Sequence, residues 1–81
     1  MNHTQARTLV LATLADVAPE IDVEDLDPGV SLRDGADLDS MDFLDYVSTL
    51  SEAIGSDIPE DDYGQVDTVG AAVAYLASRT A

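Results

Sequence analysis

The sequence predicts an all-α fold: a small four-helix bundle of three main helices and one short helix, with a long loop between helices one and two. Three observations predict it. Apolar side chains recur at intervals of three and four in three separate stretches. No stretch alternates apolar and polar residues for long enough to make a strand. With 81 residues, 46% of them hydrophobic, the chain suits a single domain spanning residues 1–81. Size scaling gives such a chain a folded surface of roughly 4,700 Å² against about 12,000 Å² unfolded. A core this thin disfavours a deep catalytic cleft.

The first helix is expected over residues 4–17, with Thr4 as its N-cap. Ala6, Val10, Leu14 and Val17 form its inner stripe, widened by Leu9 and Leu11. Pro19 ends it, because proline cannot continue the hydrogen-bond ladder and restrains the residue before it. Residues 19–38 then form a long connection with a turn at Asp27-Pro28-Gly29. A loop of this length needs anchors, and Ile21, Val23, Leu26, Val30, Leu32 and Leu38 are the residues to supply them.

The second helix opens at Asp39 or Ser40 and runs to Ile54, where Gly55 suits the left-handed position that closes a helix. Asp39 followed by Asp42 resembles a capping box with Asp in place of Glu. Phe43, Val47, Leu50 and Ile54, flanked by Tyr46, are the inward stripe, and Met41 and Leu44 fall to one side of it. Ile58-Pro59 opens a short helical segment through Tyr63, interrupted by Gly64. The last helix starts at Asp67 or Thr68 and reaches about Arg79, with Val69, Ala72, Val73 and Leu76 as its apolar face and Tyr75 alongside.

Composition excludes several functions. There are no cysteines, so no disulfide, metal thiolate or thiol nucleophile is available. The one histidine, His3, lies near the N-terminus, which disfavours a His-based triad or metal site. Three Arg and no Lys against seventeen acidic residues leave a net charge of −14. That charge repels nucleic acid and anionic membranes and favours partners with basic patches. No stretch reaches the roughly 20 apolar residues of a membrane span, and no basic leader with a cleavage site is evident. A cytoplasmic monomer is expected.

The segment from Asp34 to Asp45 holds most of the information. It contains five carboxylates and no base, and it places Ser40 where a helix begins. A helix start exposes unpaired N–H groups and the positive end of the helix dipole, which together stabilise a phosphate. On these residues alone, Ser40 either opens a capped helix or carries a phosphate-linked group. A calcium loop does not fit. Counted from Asp37, Met41 falls at the fifth position, Asp42 at the glycine position and Ser48 where the final Glu belongs.

Asp39-Ser40-Met41-Asp42 resembles the Asp-Ser-(Leu or Met) signature that opens the second helix of acyl carrier proteins. The resemblance extends from about Val30 to Leu76, through Ile58-Pro59-Glu60-Asp61-Asp62 and Asp67-Thr68-Val69. Asp37 stands where members commonly have Gly, with Gly35 shifted nearby. The Gly-Gly pair usual in peptidyl carriers is missing, which weakens a peptidyl assignment.

The resemblance implies that a separate phosphopantetheinyl transferase moves 4′-phosphopantetheine from coenzyme A onto Ser40. The arm's thiol then carries acyl groups as thioesters between acyl-loading and acyl-processing enzymes of fatty acid or polyketide type. A chain without cysteine thus uses an imported thiol, and it is not itself an enzyme. The resemblance also implies a docking patch of Met41 and Leu44 ringed by Asp37, Asp39, Asp42 and Asp45, with Asp61 and Asp62 as an extension. Asp16 and Glu20 are taken as an acidic pair elsewhere in the chain, for comparison with that patch. The competing readings are an unmodified acidic adaptor that binds a basic protein and an aminoacyl or peptidyl carrier.

Overall fold

The computed structural model describes residues 1–36 and 38–79. Their solvent-accessible surface is 4622 Å², close to the value expected from chain size. Four helical elements and no strand are present among the described residues: α1 (His3–Val17), α2 (Ser40–Ile54), a 3-10 helix (Glu60–Gln65) and α3 (Val69–Arg79). Both α2 and α3 pack against α1, and the 3-10 helix packs against α3.

The helix ends follow local chemistry. The N-cap of helix α1 is Asn2, two residues before the expected Thr4, because Asn2 and Gln5 form a reciprocal cap. The Asn2 side chain accepts from the Gln5 amide at 2.8 Å, and the Gln5 side chain accepts from the Asn2 amide at 3.0 Å. Its buried face comprises Ala6, Val10, Thr13 and Leu14, with Val17 half-buried. Thr13 is buried because its hydroxyl donates to the Leu9 carbonyl one turn back, at 2.8 Å. Helix α2 ends on Gly55 in the left-handed conformation (φ 69°), as expected for that glycine. The short segment is a 3-10 helix that passes through Gly64 instead of stopping there. Its three-residue turns are closed by Asp62 N–H to the Pro59 carbonyl and Val66 N–H to the Tyr63 carbonyl.

Thr68 caps α3 by accepting from the Ala71 amide at 3.0 Å, which frees Asp67 for the long loop. One Asp67 carboxylate oxygen accepts from the Ser31 hydroxyl at 2.6 Å, and the other from Arg33 Nε at 3.0 Å. Its carbonyl accepts from the Leu32 amide at 2.7 Å, and the Pro28 carbonyl accepts from the Gly70 amide at 3.0 Å. Leu32 and Leu38 are buried, while Ile21, Val23 and Leu26 pack half-buried on the core. The loop is thus sewn to the start of α3 at several points along its second half. Gly35 is required at the bend: an added Cβ would clash with the Val30 side chain and press on the Ser31 carbonyl oxygen at 3.0 Å.

Candidate functional site

The site grows from the first turn of α2. Asp39 has extended backbone (φ −72°, ψ 170°) and is the N-cap. Its side chain accepts from the Asp42 amide at 2.8 Å, and its carbonyl accepts from the Phe43 amide at 2.9 Å. One half of the expected capping box is therefore present. Ser40 is the first residue of the helix and is exposed. With the amides of Asp42 and Phe43 engaged, Ser40 stands at the positive end of a 15-residue helix.

Beside it lies an acidic and apolar surface. Met41 is 75% exposed and Leu44 50%, the two large hydrophobic side chains left outside the core among the described residues. Asp39 and Asp45 are exposed, and Asp42 is partly covered. Asp37 lies outside the described residues. Desolvation at the helix junction raises the Asp42 carboxyl above its ordinary range, and the neighbouring charges of Asp39, Glu20 and Asp45 raise it further. The charge of Glu20 thus reaches Asp42, so the pair Asp16 and Glu20 is not electrostatically remote from this surface. No three carboxylate or histidine side chains converge to hold a metal ion among the described residues.

Asp62 is not free to extend this surface. It accepts from the Tyr75 hydroxyl at 2.8 Å, from Arg79 Nη2 at 3.1 Å and from Gln65 Nε2 at 3.2 Å, tying the 3-10 helix to α3. Asp61 remains exposed.

Aromatic packing holds the first turn from beneath. Phe43, three residues after Ser40, is buried and packs against Tyr46 (5.7 Å between ring centres) and edge-on against Tyr63 (5.8 Å, 70°). The Arg33 guanidinium covers the Phe43 ring at 4.5 Å while Nε remains paired with Asp67. The buried Tyr46 hydroxyl donates to the Val66 carbonyl at 2.9 Å. The loop, α2, the 3-10 helix and the start of α3 therefore meet just below Ser40.

The pattern of phosphopantetheine attachment sites matches residues 8–76. The chain is 35% identical over 68 residues to an acyl carrier protein of Lactobacillus johnsonii, covering 80% of this chain and 85% of that one. It is also 35% identical to one from Acidothermus cellulolyticus (88% of each chain). A third, from Renibacterium salmoninarum, is 33% identical (89% of this chain, 93% of that one). The chain belongs to the acyl carrier protein family. Acyl carrier proteins are carriers and not catalysts, and the cofactor of this carrier is covalently attached 4′-phosphopantetheine. An exposed serine hydroxyl at a helix start suits a phosphodiester chemically, since the helix dipole offsets the added negative charge. As a family member, this carrier works with a phosphopantetheinyl transferase and acyl-processing enzymes. Among the described residues no helix is long and apolar enough to cross a membrane.

Proposed function

We propose that Ser40 is the attachment point of the phosphopantetheine arm. The reading rests on one observation: Ser40 is the exposed first residue of α2, capped by Asp39, inside the Asp39-Ser40-Met41-Asp42 motif. In the transfer, the Ser40 oxygen bonds to the phosphorus of coenzyme A that bears the pantetheine. The bond from that phosphorus to the oxygen bridging the two phosphates breaks, and adenosine 3′,5′-bisphosphate leaves with that oxygen. The serine proton goes to a base of the transferase, since the segment from Asp34 to Asp45 holds no histidine or lysine beside Ser40. When bound, the group supplies a thiol that carries acyl chains as thioesters.

The cargo is an acyl intermediate of fatty acid or polyketide type, presented by a monomeric cytoplasmic carrier whose one domain spans residues 1–81. Its partners grip Met41 and Leu44 with apolar contacts and surround them with basic side chains facing Asp39, Asp42 and Asp45. Glu20 joins that ring. Intact mass after incubation with coenzyme A, Mg²⁺ and a broad-specificity transferase tests the attachment point. Wild type gains one arm and Ser40→Ala gains none; equal gain in both would place the arm elsewhere.

A further inference from the structure

Charge is spread unevenly along the chain. All seventeen acidic residues lie between Asp16 and Asp67, and residues 1–15 and 68–81 contain none. Those two carboxylate-free stretches supply most of α1 and all of α3, and the two helices pack against each other. The fold thereby gathers the uncharged and basic parts of a strongly acidic chain onto one helix pair.

An open groove of about 370 Å³ runs along that pair, between His3, Thr4 and Arg7 of α1 and Gly70, Val73 and Ala74 of α3. Gly70 and Ala74, one turn apart, are exposed and small enough to leave room for an incoming side chain, and Val73 is half-buried beside them. Neither Ser40 nor the Met41–Leu44 surface contributes to its walls.

Arg7 is the informative residue. Arg33 pairs with Asp67 and covers Phe43, and Arg79 pairs with Asp62 and covers Tyr75. Arg7 is exposed and has no ion pair, ring contact or side-chain hydrogen bond among the described residues. His3 stands one turn before it on the same helix face. The turn at Asp27-Pro28-Gly29 comes close, since the Gly70 amide donates to the Pro28 carbonyl at 3.0 Å. The Asp27 carboxylate, however, is held within its own turn by the Gly29 amide at 2.8 Å. Charges farther away than about 8 Å are largely screened at physiological ionic strength, so the local cation decides which sign of charge the groove accepts.

We propose that the α1–α3 groove is a second docking surface, which takes an acidic amphipathic helix of a protein partner. Two partner carboxylates one helical turn apart match His3 and Arg7, and an apolar side chain beside them seats on Val73 between Gly70 and Ala74. The polarity is opposite to that of the Met41–Leu44 face. A tethering protein can therefore hold the carrier here while a basic enzyme engages α2. This surface does not depend on Ser40 being the attachment point.

The test titrates the full ¹⁵N-labelled chain, at physiological salt, with an acetylated and amidated peptide of four Glu-Leu-Leu-Ala repeats, and separately with its counterpart carrying Lys for Glu. The Glu peptide should give saturable shifts at the amides of Arg7, Gly70, Val73 and Ala74, at least twofold larger than those at Met41 and Leu44. The Lys peptide should show the reverse pattern. Arg7→Glu reverses the charge near the start of α1, where the helix dipole tolerates a carboxylate, and should weaken the Glu peptide at least tenfold. Ala74→Gln fills the groove without changing charge and should weaken it as well. With the Glu peptide saturating, the rate of arm transfer from coenzyme A by a broad-specificity transferase should change less than twofold. Glu-peptide shifts that never saturate, that centre on α2, or that persist unchanged in both variants would overturn the proposal. A Lys peptide that moves the groove amides equally, or a Glu peptide that blocks arm transfer, would overturn it too.

Discussion

The guanidinium of Arg33 lies 4.5 Å above the ring of Phe43 while its Nε bonds Asp67 at 3.0 Å. A single loop side chain thereby joins the first turn of α2 to the start of α3. In a chain with only three Arg and seventeen acidic residues, one of the few cations is used to hold the framework beneath Ser40.

Replacing Arg33 with Ala should therefore destabilise the fold by about 0.5–2 kcal/mol. An exposed cation–π contact contributes about 0.5–1 kcal/mol, and a surface ion pair up to about 1 kcal/mol. That loss lowers the thermal midpoint by roughly 2–16 °C in a domain of this size. Arg33→Lys keeps the charge but loses the planar face and should fall between the two. Thermal denaturation by circular dichroism checks this; a midpoint unchanged in Arg33→Ala would show the contact to be incidental.

Tyr46→Phe keeps the buried ring and removes the bond to the Val66 carbonyl. The orphaned carbonyl should cost about 1–2 kcal/mol in urea denaturation. Burial first, and the Asp67 charge second, push the Tyr46 phenol above its ordinary value of 10.0. Its folded pKa is thus above the unfolded one, so its contribution is intact below pH 10 and is lost as pH rises further. Wild type should lose stability in alkali faster than Tyr46→Phe. Parallel pH curves for the two proteins would contradict the assignment.

The raised carboxyl of Asp42 has the same sign with a different consequence. Its folded pKa lies above the unfolded value of 3.8, so the stabilising contribution exists in acid and disappears as pH rises through the carboxylate range. At neutral pH the ionised group strains the fold against Asp39, Glu20 and Asp45. Asp42→Asn should raise the thermal midpoint at pH 7 in low salt, and the gain should shrink in high salt and at acid pH. Salt or millimolar Mg²⁺ should also raise the wild-type midpoint by relieving the wider repulsion. A wild-type midpoint flat across salt would show that repulsion matters little.

Reversing Asp42 and Asp45 to Lys shifts net charge by +4, from −14 to −10, and leaves the protein strongly acidic. Asp16 with Glu20 is an unsuitable comparison, because Glu20 acts on Asp42. Glu52 with Asp57 serves instead, since Glu52 lies twelve residues along α2 from Ser40, about 18 Å away. The rate of phosphopantetheine transfer should fall at least tenfold more for the Asp42/Asp45 pair than for the Glu52/Asp57 pair. Similar losses in two folded variants would reduce the acidic face to diffuse steering.

The helices, the Asp39 cap and the Gly55 stop follow from interactions within four residues. Such contacts are written in the order of the chain, so the sequence by itself determined them, Ser40 included. Even the misplaced start of α1 was legible, in the spacing of Asn2 and Gln5. Which acidic residue does what was not. Asp62 bonds Tyr75 and Arg79, Asp67 leaves the helix cap to Thr68 and holds Ser31 and Arg33, and Glu20 presses on Asp42. Seventeen acidic side chains are chemically alike along the sequence. Only the packing of α1, the loop and α3 around α2 brings a donor, an arginine or another carboxylate within reach, and electrostatic and hydrogen-bond energies depend on that distance.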